Sequence, residues 1–298
     1  MNNKRQHYIP TSYLKSWCDP THPRNQKPYV WMFSKDGSIG KRKSPKKIFY
    51  EKDLYTIRAQ DNNRDLTLEY NLSRIENKFF TLRKEKISKH LMLSFEEHLY
   101  LCMFVAAMHG RTPSYASELS SVFNQALCLG KKMIEWAKEN PPNEQQSAVI
   151  PIISSEDQDY LTMEEMEEIV NQPLQSLLSS FVTKISPILF HIPFVFIEIP
   201  ESVDLTFLTS DTPCVFFDPE IYSIPRPRFA GGLVSPTIEI TLPISPRMMV
   251  LFSKMIAVHG SYIQLPDKKI IDLLNRKTRL FSREYFINNS NALRKEWF

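Results

Sequence analysis

"HLYLCMFVAAMHG", residues 98–110, is the stretch that decides the fold. From Leu101 to Met108 every residue is apolar, so a helix built from it offers solvent no polar face. Such a helix belongs in the middle of a core. The run is far shorter than the roughly 20 residues that span a bilayer, and no other apolar run in the chain is longer, so a membrane span is not expected. Its limits are also written locally. Ser94 with Glu97 forms a capping box at the start, and Gly110 can stop the helix.

Outward from this centre the pattern stays helical. Leu68, Leu72, Ile75, Phe79 and Leu82 recur at 4-3-4-3 spacing and share one helix face. A further helix is expected from Pro113 toward Trp136. A Pro-rich break, "ENPPNEQQ", precedes a short helix capped by Thr162 and Glu165. Leu174, Leu177, Leu178, Phe181, Val182 and Ile185 mark another amphipathic one. Past residue 190 the texture changes to strands: "FVFIEI", "LTFLTS", "CVFF", "TIEITL" and "RMMVLFS", separated by turns such as "SIPRPRFAGG". Helical spacing returns in "PDKKIIDLLNRKTRLFSR". At the other end, "PYVWMFSKDGSIGKRK" holds two strand-like runs around Asp36-Gly37, a hairpin signal; "DLYTIR", residues 53–58, can add a strand. The expected fold is α+β. A small β region fills residues 1–60, a helical bundle 61–188, and a mainly antiparallel sheet with a terminal helix 189–298, all in a single compact domain.

Composition bounds the function. The chain has 298 residues, 42% hydrophobic and 23% charged, which is ordinary for a folded protein. The start, "MNNKRQHYIPTSY", carries basic residues with no apolar stretch after them, so a secretory leader is not expected. Cys18, Cys102, Cys128 and Cys214 are widely spaced with no Cys-x-x-Cys, which fits free thiols in a reducing cytoplasm and argues against structural zinc. The net charge of +4 is small, but residues 1–50 hold eleven Lys or Arg against two acids. From Glu139 to Thr183 there are nine acids and no Lys or Arg. That asymmetry makes a basic face possible. No phosphate loop, nucleophile elbow, His-Glu-x-x-His or dinucleotide fingerprint is present.

Several segments match one known pattern in order: "QHYIPTSYLKSW" (6–17), "EKDLYT" (51–56), "LEYNLSRIENKF" (68–79), "HGRTP" (109–113), "FLTSDTPCVFF" (207–217) and "ITLPISPRMMVL" (240–251). The chain resembles the bacterial domain-of-unknown-function family numbered 4238 over most of its length; residues 139–172 depart from that pattern. The resemblance implies an intracellular bacterial or phage-related protein, and a role in phage defence is one expectation for its function. It carries over no catalytic residue, cofactor or metal.

Candidate site residues come from the chain itself. His7 can serve as acid, base or ligand, with Lys4 and Arg5 before it. Alternatively it donates to a carbonyl while Tyr8, Ile9 and Leu14 bury themselves, Trp17 stacks beneath, and Pro10 sets a short helix from Thr11. His109 and Arg111 stand where the apolar helix ends. A histidine there also suits the helix dipole, and Arg111 binds either a phosphate or a core acid such as Glu69 or Glu76. Those two acids share a helix face with Ser73 between them. Asp211, in "TSDTP" after a strand, is a base, a metal ligand or a turn former. Arg83 and His90 form a weaker pair. Lys41, Arg42, Lys43, Lys46 and Lys47, near Trp31, Phe33, Phe49 and Tyr50, make a basic patch suited to single strands or simply a solvated hairpin tip.

Two functional expectations follow. In one, the basic patch holds nucleic acid while His7, His109, Arg111 and Asp211 converge to cleave it, with Arg111 stabilising phosphate charge. In the other, the protein is a non-catalytic sensor or interaction module whose acidic segment Glu156–Glu168 meets a basic protein partner. The four glutamates Glu164, Glu165, Glu167 and Glu168 make the helix there nearly too charged to pack on its own core.

Overall fold

A computed structural model of the chain describes residues 5–23, 25–58, 63–141, 161–219, 233 and 235–298. Lys4, most of "ENPPNEQQ", residues 156–160 of the acidic segment and the turn "SIPRPRFAGG" lie outside the described residues.

Strand β1 (Arg5–His7) leads through Pro10 into a single helical turn, α1 (Thr11–Leu14). Ile9, Tyr13, Leu14 and Trp17 are fully buried, so this turn is an apolar anchor. The anchor reaches far along the chain. The Tyr13 hydroxyl donates to the Pro243 carbonyl (2.5 Å), and Trp17 Nε1 to the Phe207 carbonyl (3.0 Å). Strands β2 (Val30–Ser34) and β3 (Gly40–Lys43) form the expected hairpin, with Gly37 at φ +76° in its turn. Strand β4 (Tyr50–Lys52) pairs antiparallel with β1, and β5 (Ile57–Arg58) with β6 (Arg64–Asp65). "DLYTIR" is thus mostly turn, and only its end extends.

Helix α2 (Thr67–Glu85) buries the five residues its spacing named. Helix α3 (Phe95–Gly110) starts on a complete capping box: Ser94 N donates to Glu97 Oε2 (2.7 Å) and Glu97 N to Ser94 Oγ (3.3 Å). It is the buried centre, with Leu101, Cys102, Phe104, Val105, Ala106 and Met108 all at 0% exposure. Phe104 stacks on Phe79 of α2 with ring centroids 3.6 Å apart. Gly110 ends it where α6 (Pro173–Phe190) crosses close. A Cβ there would stand 2.6 Å from the Phe181 ring. Between them run α4 (Pro113–Glu139), capped by Thr112, and α5 (Met163–Asn171), capped by the Thr162–Glu165 box. The charged α5 packs through its other face, and its glutamates are exposed as their charge predicts. Ile169 is buried, Met163 lies against Gly130 of α4, and the four glutamates stay on the outer side.

The C-terminal strands are β7 (Phe194–Glu198), β8 (Thr209–Ser210), β9 (Val215–Phe217), β10 (Glu239–Ser245), β11 (Met248–Ser253), β12 (Ser261–Gln264) and β13 (Tyr285–Asn288), with α7 (Lys268–Phe281) before the last. One sheet has the order β12-β7-β11-β10-β9, antiparallel except for the parallel β12–β7 pair. The other runs β3-β2-β13-β8 and joins the N-terminal hairpin to C-terminal strands. The fold is α+β, as expected. The N-terminal β region is not a separate layer, however, because half of its larger sheet comes from beyond residue 205. Among the described residues no helix is long and apolar enough to cross a membrane.

Candidate functional site

The four residues expected to converge do not all meet. His7 and Arg111 share a cleft; His109 and Asp211 lie elsewhere, held by other contacts. The His109 ring stacks on Phe216 (4.0 Å, 18°) beside Phe181, and its Nδ1 faces the Cys214 carbonyl at 3.4 Å. Burial among these rings pulls its pKa down to about 4, so it is a neutral packing histidine. Asp211 is 4% exposed and accepts the backbone N–H groups of Arg283 (2.8 Å), Glu284 (2.7 Å) and Tyr285 (2.9 Å). Burial raises its pKa while those three donors oppose the rise. Its work is to fix the entry to β13. Arg83 and His90 are likewise apart in role. Arg83 donates to Ser16 Oγ and the Ile244 carbonyl, and His90 pairs with Glu198 (3.0 Å).

The cleft, of about 710 Å³, lies between β1, the turn α1, the 3-10 turn Pro45–Lys47 and helix α2. His7, Arg111, Glu69, Ser73 and Glu76 line it, with Arg5, Lys15 and Lys46 also contributing. Arg111 is 2% exposed and pinned from three sides. It donates to Glu76 Oε1 (2.6 Å), to the His7 carbonyl (2.7 Å) and to the Tyr55 hydroxyl (3.3 Å), and the Tyr55 hydroxyl donates back to the Arg111 carbonyl (3.0 Å). Three of the guanidinium's five N–H donors are therefore occupied. Arg111 chooses the core acid Glu76, one of the two partners its position offered. Beneath it Gln6, fully buried, accepts from Tyr55 N (2.6 Å) and donates to Thr56 Oγ1 (3.1 Å).

Two polar groups of the cleft are buried without a partner: His7 Nε2 and Glu69 Oε2. Burial lowers the His7 pKa, with a hydrogen bond to the Lys46 backbone opposing and Arg111 adding to the fall. Burial raises the Glu69 pKa, partly offset by Arg111. A neutral imidazole and a carboxyl group that holds its proton longer than usual thus line one wall-to-wall polar space. Buried polar atoms are rarely left unpaired without a use. Sequence reading placed Glu69, Ser73 and Glu76 on one face but did not bring them to His7, and it missed Gln6, Lys15 and Tyr55. The heptad spacing of Glu69 and Glu76 was the available signal.

Next to the cleft runs a groove of about 860 Å³ lined by Lys15, Lys27, Arg42, Lys43, Lys46 and Lys47 with no carboxylate among its lining residues. Thr11, Lys15 and Lys46 line both spaces, so groove and cleft adjoin. Arg42 lies over Tyr29 (5.0 Å) and Trp31 (4.9 Å), and Trp31 Nε1 is held by Asp19 (2.8 Å). Lys41, on the same strand, does not line the groove. Another groove of about 600 Å³, between α2, α3 and α6, has no imidazole or carboxylate in its lining. Among the described residues no three His, Cys, Asp or Glu are placed to hold a metal ion.

These features define an α+β protein with a polar cleft at its N-terminal end, fed by a cationic groove. The chain belongs to the DUF4238 family, described as a protein of unknown function, whose model matches residues 5–292 and so runs through the segment 139–172. Comparison with curated proteins and with solved structures finds no match.

Proposed function

We propose that the protein binds single-stranded nucleic acid along the basic groove and cleaves a phosphodiester in the cleft. The observation that carries this reading is an acid-free cationic groove adjoining a cleft in which His7 Nε2 and Glu69 Oε2 are buried without a partner. Lys43, Lys46 and Lys47 attract the backbone by charge, and Arg42, backed by two aromatic rings, offers its flat face to a base. In the cleft, neutral His7 takes a proton through Nε2 from the attacking oxygen. Glu69 gives its proton to the leaving oxygen, and Lys15 and Lys46 hold the phosphate oxygens. Arg111 positions His7 and Glu76 and does not itself grip the phosphate.

The test is a panel of labelled single-stranded RNA and DNA at low and physiological salt, read by binding and by gel for cleavage. His7→Gln and Glu69→Gln are expected to bind as the wild type does and to lose cleavage. Lys46→Glu with Lys47→Glu is expected to lose binding. Absence of salt-dependent binding overturns the reading. In that case the exposed Glu164 and Glu168 of α5 favour the other one, a basic protein partner on the acidic segment.

A further inference from the structure

Helix α4 carries a second apolar stripe that the described structure leaves largely uncovered, with only Leu119 at its start half-buried. Its inner side is accounted for. Leu127 is buried, Gly130 faces Met163, Ser120 donates to the Val170 carbonyl, and Lys131 pairs with Glu167 of α5. On another face stand Leu119, Val122, Ala126, Leu129, Met133 and Trp136, at strict 3-4-3-4-3 spacing. Val122 is 57% exposed, Leu129 60%, Met133 63% and Trp136 65%. Such spacing is the seam of a coiled coil, where each side chain seats between those of a facing helix.

The order of sizes says which helix faces it. Laid antiparallel against its own copy about a two-fold axis beside Leu127 and Cys128, the stripe pairs Leu119 with Trp136, Val122 with Met133, and Ala126 with Leu129. Each layer then sets a large side chain against a smaller one. A parallel pairing would instead put Trp136 on Trp136 and leave Ala126 facing Ala126. The exposed stripe amounts to on the order of 600 Å² per chain, at the top of what a monomer's largest apolar patch shows. Two such faces together bury on the order of 1,200 Å², the lower bound of a specific interface. We infer that α4 is a homodimer interface, in which a second copy of this chain docks antiparallel on the Leu119–Trp136 stripe. The contact is isologous, so it closes at two subunits.

Sedimentation velocity of the full chain across the micromolar range tests this. The wild type is expected to be a dimer. Leu129→Glu with Met133→Glu is expected to weaken association on the order of a hundredfold or more, because each charge would be buried against apolar partners. Because both side chains are exposed in the single chain, the double variant should keep its circular dichroism, and its melting temperature should lose the dependence on protein concentration that the wild type shows. Orientation is read with a short flexible bismaleimide. Exposed Cys128 lies beside the axis and should cross-link to its counterpart, whereas Cys128→Ser with Glu135→Cys should not. A monomeric wild type overturns the inference, and so does a dimer that survives the double glutamate variant. Cross-linking through position 135 overturns the antiparallel geometry.

Discussion

Two carboxylates, Asp211 and Glu69, show what separates a structural acid from a reactive one in this fold. Both are removed from water, and burial raises both pKa values. Asp211 is answered by three backbone N–H groups within 3 Å and sits outside the cleft. Glu69 has an oxygen with no partner and lines an open cleft beside another orphan, His7 Nε2. The same contrast separates His109, stacked among aromatic rings, from His7. Burial alone does not mark a site. Burial with the hydrogen-bonding capacity left free, next to space for a ligand, does.

The sharpest way to break this comparison is at Asp211. Asp211→Ala removes all three hydrogen bonds to the backbone N–H groups of residues 283–285 and should cost about 4 kcal/mol of stability, read by chemical denaturation. A loss under about 1 kcal/mol would mean that the turn into β13 rearranges freely. Arg111→Met is expected to come next, at roughly 3 kcal/mol, because it leaves Glu76 charged and uncompensated. Loss of activity in that variant therefore says little about catalysis.

The pH dependence comes third. His98 and His109 are both held near a pKa of about 4, by burial first. In the unfolded chain each titrates near about 6.5. Below that value the unfolded state binds protons the folded state refuses, so stability falls as pH drops from about 6.5 toward 4. The slope is ~1.4 kcal/mol per pH unit for each histidine. His98→Asn and His109→Asn should each flatten the curve in that window, and no change in slope would show that these rings protonate without loss of fold. The smallest effect belongs to the cleft. Glu69→Gln should shift stability by no more than ~0.5 kcal/mol, and His7→Gln, which gives up the ring's hydrogen bond to the Lys46 backbone, by about 1 kcal/mol. A loss as large as that of Asp211→Ala would place both residues in the structural class.

The helices were legible because their information is local. The spacing in α2, the capping boxes before α3 and α5, and the proline opening α4 each concern residues within a turn or two of one another. The hairpin at Asp36-Gly37 was legible for the same reason. What could not be read was pairing across the chain. Nothing in "YFIN" announces that β13 inserts between β2 and β8, because strand register depends on which partner arrives. The site divided along the same line. The polar character of His7 and the shared face of Glu69 and Glu76 follow from short-range pattern, whereas the choice of Arg111 between the two acids was left open until the helices were packed. Whether His109 and Asp211 joined them depended on Phe216 and on residues 283–285, far away in sequence.

The anchor formed by Tyr13 and Trp17 has a consequence for synthesis. Its hydrogen-bond partners, Thr209, Phe207 and Pro243, lie 190 or more residues downstream. A nascent chain can pair β1 with β4 early, yet it holds Tyr13 and Trp17 without these acceptors for most of its translation. The edge of β2 waits longer still, for β13. Contacts of such separation are slow to form and leave apolar strands open to wrong partners meanwhile. The α1 turn of the cleft wall is therefore anchored late, long after the other residues that line the cleft have been made.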